Sequence, residues 1–481
     1  MPGSRPPNLL LVFADQMRGQ DMGCAGNRDV RTPTIDRLAA DGVRLRRCYA
    51  TCPVCCPNRA TLLTGAFPPT SRVVSNDLPV RTDLPTLATI ARANGYRTGY
   101  IGKWHLDGMP RDRFTPPGPR RLGFEYWAAY NCAHDYFHPR WFEDTPELHT
   151  ADGYEPEVQT DLALAYLERH ARTVDPFCLA VSWGPPHDPY EQVPRRYRDL
   201  YDPAAIALRP NARPGSRNPL AARREARRTV ADYYAAITAL DEQLARMIAR
   251  LRDLDAERDT LVVFTSDHGD MLWSHGWMKK QSPFEEAILV PAILRWPGGL
   301  PAGGQRDTLV GTVDLLPTLA GLMGWKDVPS LEGSDLSRAV RGERAAARPH
   351  SVLIANYHAC DEAAVQGMPT WRGVRTERHT YVELPGRRPW LLYDNVADPY
   401  QLRNLAESAA DAGPRAALAA DLGGWLDRTG DSFPDGPGML ARLGLTEAWA
   451  ERERLMHGGL ASNAAVTRVE PPTPEWSPPD R

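Results

Sequence analysis

The sequence contains no long hydrophobic run. Its most apolar early stretch, Leu9 to Ala14, is cut off by Asp15, far short of the roughly 20 residues of a membrane span and too short for a signal-peptide core. Charge of one sign is also missing: 57 Lys and Arg against 60 Asp and Glu leave a net charge of -3. Neither nucleic acid nor a membrane surface is therefore expected as a bulk partner, and any anion binding must come from local clustering. Eight cysteines are scattered over 481 residues without a disulfide framework. Cys132, Cys178 and Cys360 are isolated, with no second Cys-x-x-Cys and no His-x-His pair. That pattern predicts reduced thiols and a cytoplasmic home. Internal repeats are absent.

What is present is enough chain for two cores, since a single core stops growing well below this length. The expected architecture is α/β. A large mostly parallel sheet sandwiched by helices should occupy residues 1–345, and a smaller α+β domain with an antiparallel sheet and a packed helix residues 346–457. Residues 458–481, rich in Pro, Ser, Asn and Glu, read as a loosely docked tail.

Asn8 to Ala14 is continuously apolar, as a strand buried on both faces of a parallel sheet should be. Val43 to Tyr49, Tyr96 to Ile101, Phe177 to Trp183, Leu261 to Thr265 and Ala287 to Trp296 read as further strands. Helices are expected over Leu84 to Ala93, Val158 to Thr173, Val230 to Leu254 and Val313 to Leu322. Polar residues collect just beyond strand ends: Asp15-Gln16, Gly102-Lys103-Trp104-His105, His187-Asp188 and Asp267-His268. In open α/β sheets ligands bind at those carboxyl ends, which makes Asp15 a candidate metal ligand. Asp107 to Asp152 reads as surface loops, and the arginine-rich Asp202 to Arg228 as a solvated loop, because no aromatic residues interleave with its charges.

Ala50 to Gly65 holds the densest chemistry. Three cysteines, Cys52, Cys55 and Cys56, lie within five residues. Cys52-x-x-Cys55 can bind zinc or exchange disulfides, but a structural zinc site would need two more ligands at similar spacing. Cys55, Pro57 and Arg59 form Cys-x-Pro-x-Arg, with a helix expected from Asn58 to Leu63 whose amino end, favourable to anions, faces Cys55.

The Cys-x-Pro-x-Arg element resembles the signature of the formylglycine-dependent (type I) sulfatases of the alkaline phosphatase superfamily. Asp15-Gln16, Lys103-Trp104-His105, His187, Asp267-His268 and Lys280 resemble the family pattern in the same order. The resemblance implies a sulfuric ester hydrolase, arylsulfatase-like, in which Cys55 is oxidised to formylglycine by a formylglycine-generating enzyme. It implies one divalent ion, Ca2+ first and Mn2+ second, held by Asp15, Gln16, residue 55, Asp267 and His268. It further implies that Arg59 holds the formylglycine, Asp267 takes the attacking proton, His187 and Lys280 assist the leaving alcohol, and His105 deprotonates the second hydroxyl. Lys103 neutralises a sulfate oxygen, and Lys279 is the solvated neighbour of Lys280. Gln16 replaces a second aspartate, and Asn58 a commoner serine. The expected substrate is a small-molecule or carbohydrate sulfate ester. The alternative is a phosphonate monoester or phosphodiester hydrolase using the same site.

Overall fold

A computed structural model describes residues 6–215, 219–344, 346 and 348–456. The expected tail, 458–481, lies outside the described residues.

All eight residues of the strand Asn8–Asp15 are buried. Leu9, Leu11 and Phe13 face a core shared with Leu62, Leu63, Ile90 and Leu316, whereas Leu10, Val12 and Ala14 face Tyr166, Ile237, Leu240 and Leu244. The unbroken apolar run thus reflects two cores on opposite faces of one strand. Each such Leu or Val contributes roughly 1.5–3 kcal/mol through burial.

This strand lies near the middle of a nine-stranded sheet. Across the sheet the order is Gly304–Gly311, Val43–Tyr49, Ala292–Arg295, Thr260–Ser266, Asn8–Asp15, Phe177–Pro186, Arg97–Lys103 and Tyr126–Tyr130, with Leu289–Val290 pairing on Val43–Tyr49. Pairing is parallel except where Ala292–Arg295 and Leu289–Val290 join their neighbours antiparallel. Helices cover both faces, Glu155–His170 and Pro219–Asp253 on one, Cys55–Thr64, Leu87–Ala93 and Leu315–Met323 on the other. Four adjacent strands, Thr260–Ser266, Asn8–Asp15, Phe177–Pro186 and Arg97–Lys103, run the same way, so their carboxyl ends open onto one edge.

The second unit is a four-stranded antiparallel sheet, Ser351–Asn356, Trp371–Thr376, His379–Leu384 and Arg388–Asp394. The helix Ala412–Thr429 lays Leu418, Leu422 and Leu426, one per turn, against Val374, Tyr381 and Leu392.

Several elements depart from expectation. The arginine-rich segment expected as a loop forms, from Pro219, the start of a 35-residue helix, its polar face solvated and its apolar stripe packed inward. Asp107 to Asp152 is not only loop: Tyr126–Tyr130 extends the main sheet at its edge. Ala287 to Trp296 is interrupted at Pro291, which has no N–H for a ladder bond, leaving two short strands. Two terminal helices, Gly436–Arg442 and Thr446–Met456, were not anticipated. Among the described residues no helix is long and apolar enough to cross a membrane.

Candidate active site

The helix Cys55–Thr64 begins at Cys55 itself, three residues earlier than the sequence suggests. Val54 is the extended N-cap, and every helical residue is buried. Cys55 therefore sits in the first turn, where unpaired amide hydrogens favour negative charge. Its Sγ lies 3.2 Å from His268 Nε2 and 3.7 Å from Asp15 Oδ1.

Arg59, one turn further on, is fully buried and ties the site together. Its Nε donates to Asp267 Oδ2 at 2.9 Å, Nη2 to Asp15 Oδ2 at 3.0 Å, and Nη1 to Lys103 O at 2.8 Å and Ser182 Oγ at 2.7 Å. One guanidinium thus spans the ends of four neighbouring strands. Asn58 adds a second tie, donating to Asp267 O and accepting from Thr312 Oγ1 at 2.6 Å.

The amine of Lys103 donates to Asp15 Oδ2 at 2.7 Å and stands 3.4 Å from His134 Nε2. Burial alone would raise the Asp15 pKa, but Lys103, with His187, Arg59 and Lys280, holds it well below the usual carboxylate range. Lys280 Nζ donates to Gln16 Oε1 at 2.9 Å and lies 2.6 Å from His187 Nε2. Burial disfavours its charge, yet residue 55 and Asp15 raise its pKa above that of a free lysine. Burial, then the charges of Lys280 and His134, push His187 well below the ordinary histidine value. A neutral His187 has one consistent tautomer: Nδ1 donates to Asp188 O at 2.7 Å, and Nε2 accepts from Lys280. The ring of His134 stacks on that of His187 at 4.5 Å and 11°.

Burial, followed by Asp15, pushes the Cys55 thiol up, but Lys280, Lys103 and His268 outweigh both and bring it down to about 6. Position 55 is therefore tuned to carry negative charge at neutral pH.

Asp15, Cys55, Asp267 and His268 each offer a ligand atom, all within 4.8 Å of one another and all buried. His268 Nδ1 lies 2.8 Å from Gly269 O, so a neutral ring donates there and turns its Nε2 lone pair toward Asp15 Oδ1 at 3.6 Å and Asp267 Oδ1 at 3.7 Å. In the absence of a cation, burial opposes charge on His268 but Asp267 and Cys55 raise its pKa. Two carboxylates and an imidazole lone pair converging in a buried space fit a divalent ion. Gln16, expected among these ligands, has other partners: its amide oxygen accepts from Lys280 and its amide nitrogen donates to Asp270 Oδ2 at 2.7 Å.

A second cluster, Cys56, Asp77 and His105, is also buried. His105 Nε2 lies 3.0 Å from Asp77 Oδ1, and Asp77 additionally accepts two bonds from Arg111, at 2.9 and 2.7 Å, and one from Arg452 at 3.2 Å. Both oxygens of Asp77 already meet guanidiniums, whereas Asp15 takes Arg59 and Lys103 on Oδ2 and keeps Oδ1 clear of them, so the Asp77 cluster serves to hold His105. Burial opposes charge on His105, but Cys132, Cys56 and Asp77 keep its pKa well above the ordinary value. In that form it donates, and accepting a proton requires its neutral form.

Lys279 is not a solvated neighbour. It pairs with Asp188 Oδ2 at 3.0 Å and with Glu362, because the loop turns it toward the small domain. The zinc option for Cys52 finds no support, since among the described residues Cys52 joins no ligand cluster. Sequence reasoning missed Asp77, Arg111, His134 and Arg452; none stands at a strand end or in a recognisable motif.

A buried cation site, a charged position at a helix amino end and three fixed cations, all on the carboxyl edge of a parallel sheet, define a hydrolase for anionic esters. The profile of the sulfatase family matches residues 7–325, and one described as N-sulphoglucosamine sulphohydrolase, C-terminal, matches residues 273–423. An ulvan-active sulfatase of Formosa agariphila is 36% identical over 431 residues, covering 89% of this chain and 82% of that protein. An N-acetylglucosamine-6-O-sulfatase of Bacteroides thetaiotaomicron is 25% identical, covering 90% of this chain and 88% of the other. Among solved structures, the YidJ protein of Bacteroides fragilis superposes with a TM-score of 0.81 at 29% identity, covering 90% of this chain and 98% of that one. A phosphonate monoester hydrolase of Agrobacterium radiobacter gives 0.71 at 26%, covering 88% and 96%. The chain belongs to the sulfatase family of the alkaline phosphatase superfamily and is a sulfuric ester hydrolase.

Proposed function

We propose that the protein hydrolyses a carbohydrate sulfate monoester at a formylglycine made from Cys55 by a formylglycine-generating enzyme. The observation that carries this reading is the charge balance of the buried pocket. Arg59, Lys103 and Lys280 gather around residue 55 with Asp15 and Asp267 as the carboxylates directly bonded to them, while Asp188 and Glu362 act on Lys280 and Glu155 on Lys103. A divalent ion added to Asp15, Asp267, His268 and residue 55 would leave the pocket strongly positive, which suits an anion that water cannot screen. Ca2+ is the proposed ion, with Mn2+ the alternative that the imidazole ligand favours. When bound, that ion supplies charge neutralisation at one ester oxygen.

The chain's own residues do the rest. Lys103 and Lys280 bind the remaining sulfate oxygens, and Arg59 fixes Asp15 and Asp267 so that the ligand oxygens cannot turn away. Asp267 accepts the proton of the attacking hydroxyl. Lys280 passes a proton toward the departing alcohol alongside His187, whose neutral ring already accepts from Lys280 Nζ. His105, in its neutral form, accepts the proton of the second hydroxyl. The carbohydrate preference rests on the relatives named for sulfated sugars. Eight free cysteines support a reducing, cytoplasmic setting.

A phosphonate monoester or phosphodiester remains the second reading, favoured by the likeness to the Agrobacterium enzyme. Protein co-expressed with the modifying enzyme should hydrolyse 4-nitrophenyl sulfate and 6-O-sulfated N-acetylglucosamine faster than 4-nitrophenyl phenylphosphonate. A reversed order would replace the sulfate reading, and a Cys55 peptide of unmodified mass would remove the formylglycine.

A further inference from the structure

Arg452 stands on the last described helix, Thr446–Met456, 375 residues after Asp77, and lies beyond both matched family segments. It is only 2% exposed. Its Nε donates to Asp77 Oδ2 at 3.2 Å and its Nη1 to Glu453 Oε1 at 2.7 Å, while Nη2 donates to Asp361. Asp77 in turn engages His105 Nε2 at 3.0 Å. The other ring nitrogen of His105, Nδ1, is buried without a hydrogen-bond partner. The firmest hydrogen bond on this ring is therefore the one to Asp77, with the thiols of Cys56 and Cys132 as its other polar neighbours.

The helix pair carrying Arg452 is packed against the same loops. Met439, Leu440 and Leu445 share an apolar cluster with Cys52 and Val54, which lead into the nucleophile helix, and with Val74 and Leu78, which flank Asp77. The ring of Trp449 lies 4.4 Å from that of His358 and 4.9 Å from the Arg452 guanidinium, packing against that side chain. A guanidinium that binds Asp77 and Asp361 together clamps the Asp77 loop to the small domain, and its rigid fork gives that clamp a direction.

We propose that Arg452 is a positioning residue for His105: it completes, from the C-terminal helix, the hold that Arg111 begins on Asp77, and Asp77 holds the imidazole in the pose its proton transfer needs. This rests on the role given to His105 above, in the half-cycle after the alcohol has left. A misaligned His105 should slow sulfate release and leave alcohol release untouched. Misplacement of a catalytic group by about 1 Å costs on the order of 100-fold.

The test compares wild type, Arg452→Met and Arg452→Lys, each carrying the modified residue 55, on nitrophenyl and sugar sulfates. In Arg452→Met, kcat should fall roughly 10- to 100-fold and become the same for all leaving groups. kcat/KM should keep its wild-type value, and a burst of one alcohol per active site should appear. Imidazole nitrogen NMR, with His105→Gln for assignment, should show the His105 signal displaced in Arg452→Met and partly restored in Arg452→Lys. If Arg452→Met does not fold, Arg452→Lys, which keeps the charge but loses the fork, carries the same comparison with a smaller change. Equal losses in kcat and kcat/KM without a burst, or an unmoved His105 signal, would overturn the proposal. Wild type inert toward every sulfate ester would instead bring down the sulfate reading itself.

Discussion

Lys280 Nζ lies 2.6 Å from His187 Nε2, and both side chains are buried. An ammonium held charged thus donates to an imidazole held neutral, and the pair presents one transferable proton where an alcohol would depart. Lys280→Met should lower turnover of sugar sulfates roughly 100- to 1000-fold. The loss should be smaller for 4-nitrophenyl sulfate, whose leaving group needs little protonation. Steady-state rates across leaving groups of graded basicity check this; a uniform loss would assign Lys280 to sulfate binding alone.

Cys55→Ala should abolish turnover. The side chain is fully buried and small, so the melting temperature of the metal-free protein should change little, while metal affinity should fall with the loss of the donor at position 55. Residual activity above background in the pure variant would refute position 55 as the nucleophile.

Removing the Arg59 guanidinium leaves Asp15 and Asp267 buried without their shared partner. Arg59→Met is expected to destabilise the fold by about 3–5 kcal/mol, measured by denaturant unfolding in chelator. Arg59→Lys should recover only part of this, because a single ammonium cannot span two carboxylates and two further acceptors.

Metal loading should raise stability by about 2.7 kcal/mol at a hundredfold excess over Kd. Binding requires Asp15 and Asp267 ionised and His268 neutral, so affinity should weaken as the solution is acidified. Calorimetric titration of chelated protein with Ca2+ and Mn2+ at two pH values measures both effects. Tighter Mn2+ binding would replace calcium in the proposal.

Glu286 offers a pH test away from the reaction. Burial would raise its pKa, but Arg209 and Arg18 lead the groups that lower it from 4.5 to about 2. A depressed carboxylate stabilises the fold above its unfolded value and loses that contribution as pH falls through the folded value. The contribution is about 3 kcal/mol at neutral pH. Glu286→Gln should be less stable than wild type at pH 7, with the difference shrinking between about pH 4.5 and 2. An unchanging difference over that range would show that the ion pairs contribute nothing.

The strand ends were legible because buried parallel strands leave an unbroken apolar run, and a polar residue closing such a run is conspicuous. Asp15, Lys103, His187 and Asp267 all announce themselves in this way, and the Cys-x-Pro-x-Arg element brings Arg59 with Cys55. Pro219 to Arg228 was hidden because charged residues on a solvated helix face look like those of a loop when the apolar stripe has only just begun. Adjacency to Asp15 suggests a shared ligand role for Gln16, and what the sequence does not record is that its left-handed backbone, φ 69°, brings its amide to Lys280 and Asp270. Asp77 and Arg452 could not be seen at all. Their meaning arises from a contact across 375 residues, and no local pattern records which distant guanidinium a carboxylate will meet.

Every residue from Cys55 to Thr64 is shielded from solvent, and Cys55 has no exposed surface. For the proposed maturation this leaves an oxidising enzyme no route to that sulfur once the sheet and the small domain have closed. The proposed formylglycine would have to form before chain collapse, and the yield of competent protein should then depend on how long the nascent polypeptide stays open.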